Sequence, residues 1–169
     1  MEWKNRKLPR LKGYDYGTAG YYYLTLCTDD KRCLFGTICE GAISLNELGR
    51  MAKNELLKIE QHFPSVSIDQ YVIMPNHLHV ILVIDPTERS RPFPTNAGAN
   101  EKFSNPTVST VVGLYKAGVT RLARERHPGI AIWQKSFYDH VIRDEKGYQK
   151  ICEYIADNPL KWQEDEYHV

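Results

Sequence analysis

Residues Tyr71-Val-Ile-Met-Pro-Asn-His-Leu-His-Val-Ile-Leu-Val-Ile84 read as strand, break and strand, and two histidines sit in the second half. Side chains alternate faces along a strand, so His77 and His79 emerge on the same side. Polar rings seldom enter an apolar strand twice on one face without a partner. The pair is therefore spaced to grip one divalent metal ion. The ordinary alternative is that both are hydrogen-bonded sheet residues. With six histidines in the chain, spacing alone slightly favours that alternative.

The 169 residues suit one domain (1–169) with a core that needs neither disulfides nor structural metal. A net charge of +1 gives no global case for nucleic acid, but basic residues cluster locally. Lys4, Arg6, Lys7, Arg10 and Lys12 form an N-terminal arm over residues 1–13, and Lys116, Arg121, Arg124 and Arg126 fall on one expected helix. Such groups can meet phosphates, although solvated surface is their commonest role. The N-terminus lacks the apolar stretch of a signal peptide, and no run reaches membrane-spanning length. Cys27, Cys33, Cys39 and Cys152 form no Cys-x-x-Cys pair. Reduced thiols in the cytoplasm, with no membrane partner, are the expectation.

The pattern predicts strands at 20–27, 33–39 and 42–45, then a helix capped by Asn46 and running to about His62. Strands at 66–74 and 77–84 follow. Residues 85–106, with four prolines, read as a long surface loop. Beyond it come a helix over 107–126, short strands at 130–133 and 137–142, and a helix over 145–157 capped by Asp144. The order implies an α+β class, an antiparallel sheet with helices packed on one face.

In the last helix Tyr148, Ile151 and Ile155 centre the buried stripe, and Tyr154 and Asn158 stack four residues apart at its edge. A tyrosine at such an edge can reach a cleft as a nucleophile, and an amide one turn later can offer oxygen to a metal. A phenol with a pKa near 10 is a weak nucleophile. A metal that polarises a phosphodiester makes it useful. His77, His79 and Asn158 would hold that ion, with Mg²⁺ or Mn²⁺ suited to the mixed ligands and zinc also compatible. Tyr115, by contrast, lies in mid-stripe of its helix, and Tyr21, Tyr22 and Tyr23 read as packing residues.

Three blocks together resemble the single-tyrosine HUH transposases, especially the REP-associated tyrosine transposases. They are Met74-Pro-Asn-His-Leu-His79, Ile132-Trp-Gln-Lys-Ser-Phe-Tyr-Asp-His-Val-Ile-Arg143 and Tyr148-Gln-Lys-Ile-Cys-Glu-Tyr-Ile-Ala-Asp-Asn-Pro159. With the first strand and helix, the likeness spans about residues 14–162. It implies a ferredoxin-like sheet and metal-dependent nicking of single-stranded DNA at hairpins from imperfect palindromes. The resemblance maps the nucleophile of a 5′-phosphotyrosine to Tyr154 and the metal ligands to His77, His79 and Asn158. Related transposases often carry glutamine at that third ligand position. The arm and Lys116, Arg121 and Arg124 become candidate backbone contacts, and relatives act as monomers or as homodimers. Two rival readings keep the fold but drop the tyrosine chemistry: a non-catalytic hairpin-binding module, and a nuclease that activates water at the histidines.

Overall fold

A computed structural model describes residues 15–85 and 106–169. The basic arm 1–13, with Lys4, Arg6, Lys7, Arg10 and Lys12, lies outside the described residues, as does the 85–106 loop apart from its two end residues.

The chain begins with β1 (Gly20–Cys27), whose aromatic and β-branched residues suit a pleated surface. A hairpin of β2 (Gly36–Cys39) and β3 (Ala42–Leu45) follows. Its two-residue turn needs positive φ at both positions, and Glu40 and Gly41 supply 50° and 76°. Next come α1 (Glu47–Leu57), capped by the Asn46 side chain on the Gly49 N–H, and a single turn, α2 (Ile59–His62). The strands β4 (Val66–Ile73) and β5 (His77–Ile84) form a tight hairpin. Then come α3 (Val108–Arg126), β6 (Tyr138–Ile142) and α4 (Glu145–Asp157).

Four strands pair in the order β4-β5-β1-β6, every neighbour antiparallel. With α1 between β1 and β4, and α3 between β5 and β6, this is the split β-α-β arrangement of a ferredoxin-like sheet. The α+β class is as the sequence indicates.

Register divides the side chains between two layers. Tyr22, Leu24 and Leu26 of β1 share a face with Leu78, Val80 and Leu82 of β5, and on it pack Leu48, Ala52 and Leu56 of α1 with Val111, Val112 and Val119 of α3. Burying each such side chain is worth roughly 1.5–3 kcal/mol, so this layer dominates the stability. The sequence placed the helices on one face, and α1 and α3 are there. The remaining long helix, α4, covers the opposite face, where Ile155, Ile151 and Tyr148 meet Tyr23, Val72 and Ile81.

Three expected elements differ in extent. The helix anticipated to His62 breaks at Lys58. The strand expected from Cys33 starts at Gly36, because Phe35 donates its N–H to the Pro75 carbonyl and receives that of Asn46. Residues 130–133 form no strand and make one bridge, Trp133 to Thr28. β6 pairs with β1 from Tyr21 to Thr25, and this segment bonds where that pairing stops: Gln134 N–H donates to the Cys27 carbonyl at 3.0 Å, and the Ile132 carbonyl accepts the Asp29 N–H at 2.8 Å.

Candidate metal and nucleophile site

His77 and His79 lie on β5 opposite Cys27 and Thr25 of the neighbouring β1. Both point to the α4 face, and their exposures are 0% and 1%. Their Nε2 atoms converge to 3.1 Å.

The hydrogen-bond partners fix how these rings can act. Asn76 donates its amide N–H groups to the carbonyls of Lys31 (3.0 Å) and Tyr167 (2.7 Å). Its Oδ1 is left to accept from His77 Nδ1 at 2.8 Å. The proton of neutral His77 is thereby held on Nδ1, and Nε2 presents a lone pair. Burial favours that neutral form and pushes the pKa down to about 4, against the opposing pull of Asp165. His79 Nδ1 meets the Tyr23 hydroxyl at 2.8 Å and Thr25 Oγ1 at 2.9 Å. These hydroxyls can take its Nδ1 proton and turn Nε2 toward its twin. Two lone pairs so close repel unless a proton or a cation lies between them.

Across from the imidazoles, α4 supplies the other two expected groups. Asn158 caps its end at 2% exposure, and its Oδ1 is a buried polar atom without a hydrogen-bond partner. An orphaned buried carbonyl oxygen costs about 1–3 kcal/mol. It lies close enough to His77 to favour the imidazolium. Tyr154, one turn earlier and 38% exposed, sets its ring 5.2 Å from that of His79. Its outer side borders a cleft of about 410 Å³ lined by Tyr23, His140, Lys150 and Ile151. The two converging imidazole nitrogens and the Asn158 amide oxygen make a donor set that fits a divalent ion.

Sequence reasoning missed several members of the site. Asn76 looked like part of a strand break, yet it orients His77. Tyr23 was read as packing, yet it steadies His79. Asp165 lay unnoticed in an acidic stretch. Its Oδ2 accepts from Asn158 Nδ2 at 2.5 Å and stands 3.4 Å from the Tyr154 hydroxyl. The signal for Tyr23 and Thr25 was their shared parity with His79 once β1 and β5 are paired. For Asp165 the local sequence carries none.

The α3 cations are not brought to this site. α3 packs on the opposite face of the sheet. Lys116 donates to the carbonyls of Gln134 (2.8 Å) and Ser136 (2.9 Å), and burial lowers its pKa to about 8. Arg121 is exposed and near Glu125 at 3.6 Å, and Arg124 is exposed. Cys27, Cys33, Cys39 and Cys152 are free thiols. Among the described residues no helix is long and apolar enough to cross a membrane.

No family model matches the chain. A Haemophilus influenzae protein described as uncharacterized is 40% identical over 169 residues, 98% of this chain and 94% of its own length. The chain belongs to one family with that protein. A second Haemophilus influenzae protein, provisionally named a REP-associated tyrosine transposase, is 22% identical over 87% of this chain and 74% of its own. Among solved structures, a REP-associated tyrosine transposase bound to a REP hairpin superposes with a TM-score of 0.58. That match has 21% identity and covers 85% of this chain and 68% of the other. The fold is that of the REP-associated tyrosine transposases. A Deinococcus radiodurans protein provisionally named a transposase shares it at a TM-score of 0.50 and 16% identity, over 89% of this chain and 97% of its own. Within the transposase fold, β5 carries the paired histidines and α4 crosses above them.

Proposed function

We propose that this chain is a metal-dependent transposase that nicks and rejoins single-stranded DNA at hairpins through a covalent 5′-phosphotyrosine. The observation that carries this reading is convergence. The hydroxyl-bearing Tyr154, the orphaned Asn158 oxygen and the two Nε2 atoms meet across the β5–α4 interface. The hairpin named with the solved relative supports DNA as the partner, and the cytoplasm is where such a substrate is met.

Tyr154 Oη attacks the scissile phosphorus and the bond to the 3′ oxygen breaks. The phenol gives up a proton and the departing oxygen takes one up. The 5′ phosphate stays on the tyrosine, so an incoming 3′ hydroxyl can reverse the step and join a new strand. His77, His79 and Asn158 would hold Mg²⁺ or Mn²⁺. When bound, the ion supplies charge stabilisation on the non-bridging oxygens. Asn76 keeps His77 in the ligating tautomer, and the Tyr23 and Thr25 hydroxyls hold the His79 ring at Nδ1. The cleft beside Tyr154 offers room for the strand next to the cut. All these side chains come from one copy, so a homodimer is not required to complete the site. The N-terminal arm, Arg121 and Arg124 are proposed to steady the hairpin by phosphate contacts, and Lys116 to brace residues 134–136.

The test uses end-labelled single-stranded hairpins from the repeats flanking the coding locus, with Mn²⁺ or with chelator, on a denaturing gel. Label should move onto the protein only with metal, and Tyr154→Phe should abolish the transfer. Removing a partly exposed hydroxyl should change stability by less than about 0.5 kcal/mol. Cleavage that persists in Tyr154→Phe without an adduct would establish water as the nucleophile instead. Binding without cleavage on hairpins that another transposase of this fold cuts would mark a non-catalytic module.

A further inference from the structure

The segment after α4 turns back over the histidines. A 3₁₀ turn at Trp162–Glu164 is followed by Asp165, Glu166 and Tyr167. The Tyr167 ring lies 4.6 Å from that of His77 and 5.9 Å from that of His79, and its carbonyl accepts from Asn76. Lys31 donates to the Glu166 carbonyl at 3.1 Å. Asp165 Oδ1 accepts the Tyr167 N–H at 2.7 Å, which aims Oδ2 inward. The ligand atoms of His77, His79 and Asp165 all lie within 4.8 Å of one another.

We infer that Asp165 is a ligand of the metal proposed above, so that metal binding and the seating of residues 165–167 are one event. The inference rests on that reading of the histidine site. Its physical basis is charge. His77, His79 and Asn158 are neutral ligands, and a dication enclosed with them alone would lack any compensating anion. Mg²⁺ and Mn²⁺ favour carboxylate oxygen over imidazole. Asp165 is the carboxylate of this cluster, and the covering segment holds it in reach.

The test is Mn²⁺ binding by the full chain without DNA, followed by electron paramagnetic resonance, together with amide exchange of residues 162–167. Asp165→Asn, nearly isosteric, should weaken Mn²⁺ binding by about tenfold or more. A chain ending at Glu164 should show the same loss, which guards against an effect peculiar to the amide. In the unaltered protein Mn²⁺ should slow exchange at the Tyr167 amide, and in Asp165→Asn it should not. Affinity within about twofold of the unaltered protein in both variants, or faster exchange on adding Mn²⁺, would overturn the inference. His77→Ala separates the two levels of the argument. If it loses Mn²⁺ while Asp165→Asn does not, this inference alone fails. If His77→Ala retains full affinity, the metal lies elsewhere and the histidine site fails with it.

Discussion

Asn76 carries more of the chemistry than its position in a turn suggests. Its two N–H groups are committed to the Lys31 and Tyr167 carbonyls, so its oxygen can only accept, and His77 must donate from Nδ1. Replacing Asn76 with Ala frees the ring to flip or change tautomer. Mn²⁺ affinity, read by titration calorimetry, should drop about 10- to 100-fold, as for other groups that orient a metal-bound histidine. The same ring sets a pH dependence. Its native pKa of about 4 lies below the ordinary 6.5, so below pH 6.5 the unfolded chain binds the proton that the folded chain refuses. Stability without metal should therefore fall as pH is lowered from 6.5 toward 4, and level off below. Thermal midpoints in chelator across that range are the check, and a flat profile would show that the imidazole is not held neutral. The placement of His77 and His79 on one strand face and of Tyr154 and Asn158 on one helix edge was legible, because strand parity and helical spacing are local. Asn76, Tyr23 and Asp165 were not, because their roles depend on which segments meet.

At the scale of elements, α4 carries two of the groups proposed for the chemistry. Its start is fixed by Asp144, whose Oδ1 accepts the Gly147 N–H at 2.7 Å, and its other end carries Asn158. Asp144→Ala should cost about 1 kcal/mol in denaturant unfolding. The adduct assay should change little, since the lost cap lies three turns from the proposed nucleophile, Tyr154. The limits of β1, β5 and α4 follow from alternation, capping residues and Pro159, all written in the adjacent sequence. The segment 130–133 shows where that stops. Its apolar, β-branched residues suit a strand, but β6 holds the β1 edge from Tyr21 to Thr25 and leaves the end of β1, Thr28 and Asp29 for this segment to bond. Pairing is a property of neighbours that local composition cannot report.

For the whole molecule, the sheet is a wall between two tasks. Leu82, 1% exposed, faces α1 and α3, whereas its strand-mate His79 faces α4. Leu82→Ala should destabilise by about 2–5 kcal/mol, as large-to-small core changes do. The folded fraction should bind Mn²⁺ with unchanged affinity, which calorimetry well below the melting midpoint would establish. Loss of affinity in step with stability would mean that the two layers are coupled. The sequence indicated both the sheet and its packed helices. It put every helix on one face, whereas α4 takes the other, since an amphipathic helix buries its stripe equally well on either side of a sheet.

The pairing of β1 with β5 has a historical consequence. Thr25 stands beside His79 and Cys27 beside His77, and every second residue changes sides. Losing one residue between the Pro75-Asn76 turn and His79 would turn an imidazole into the aliphatic layer and an aliphatic side chain toward the α4 face. Descendants of this chain can therefore change the length of β5 at that end only in pairs. Lineages should preserve odd and even along this strand even where they exchange nearly every side chain on it.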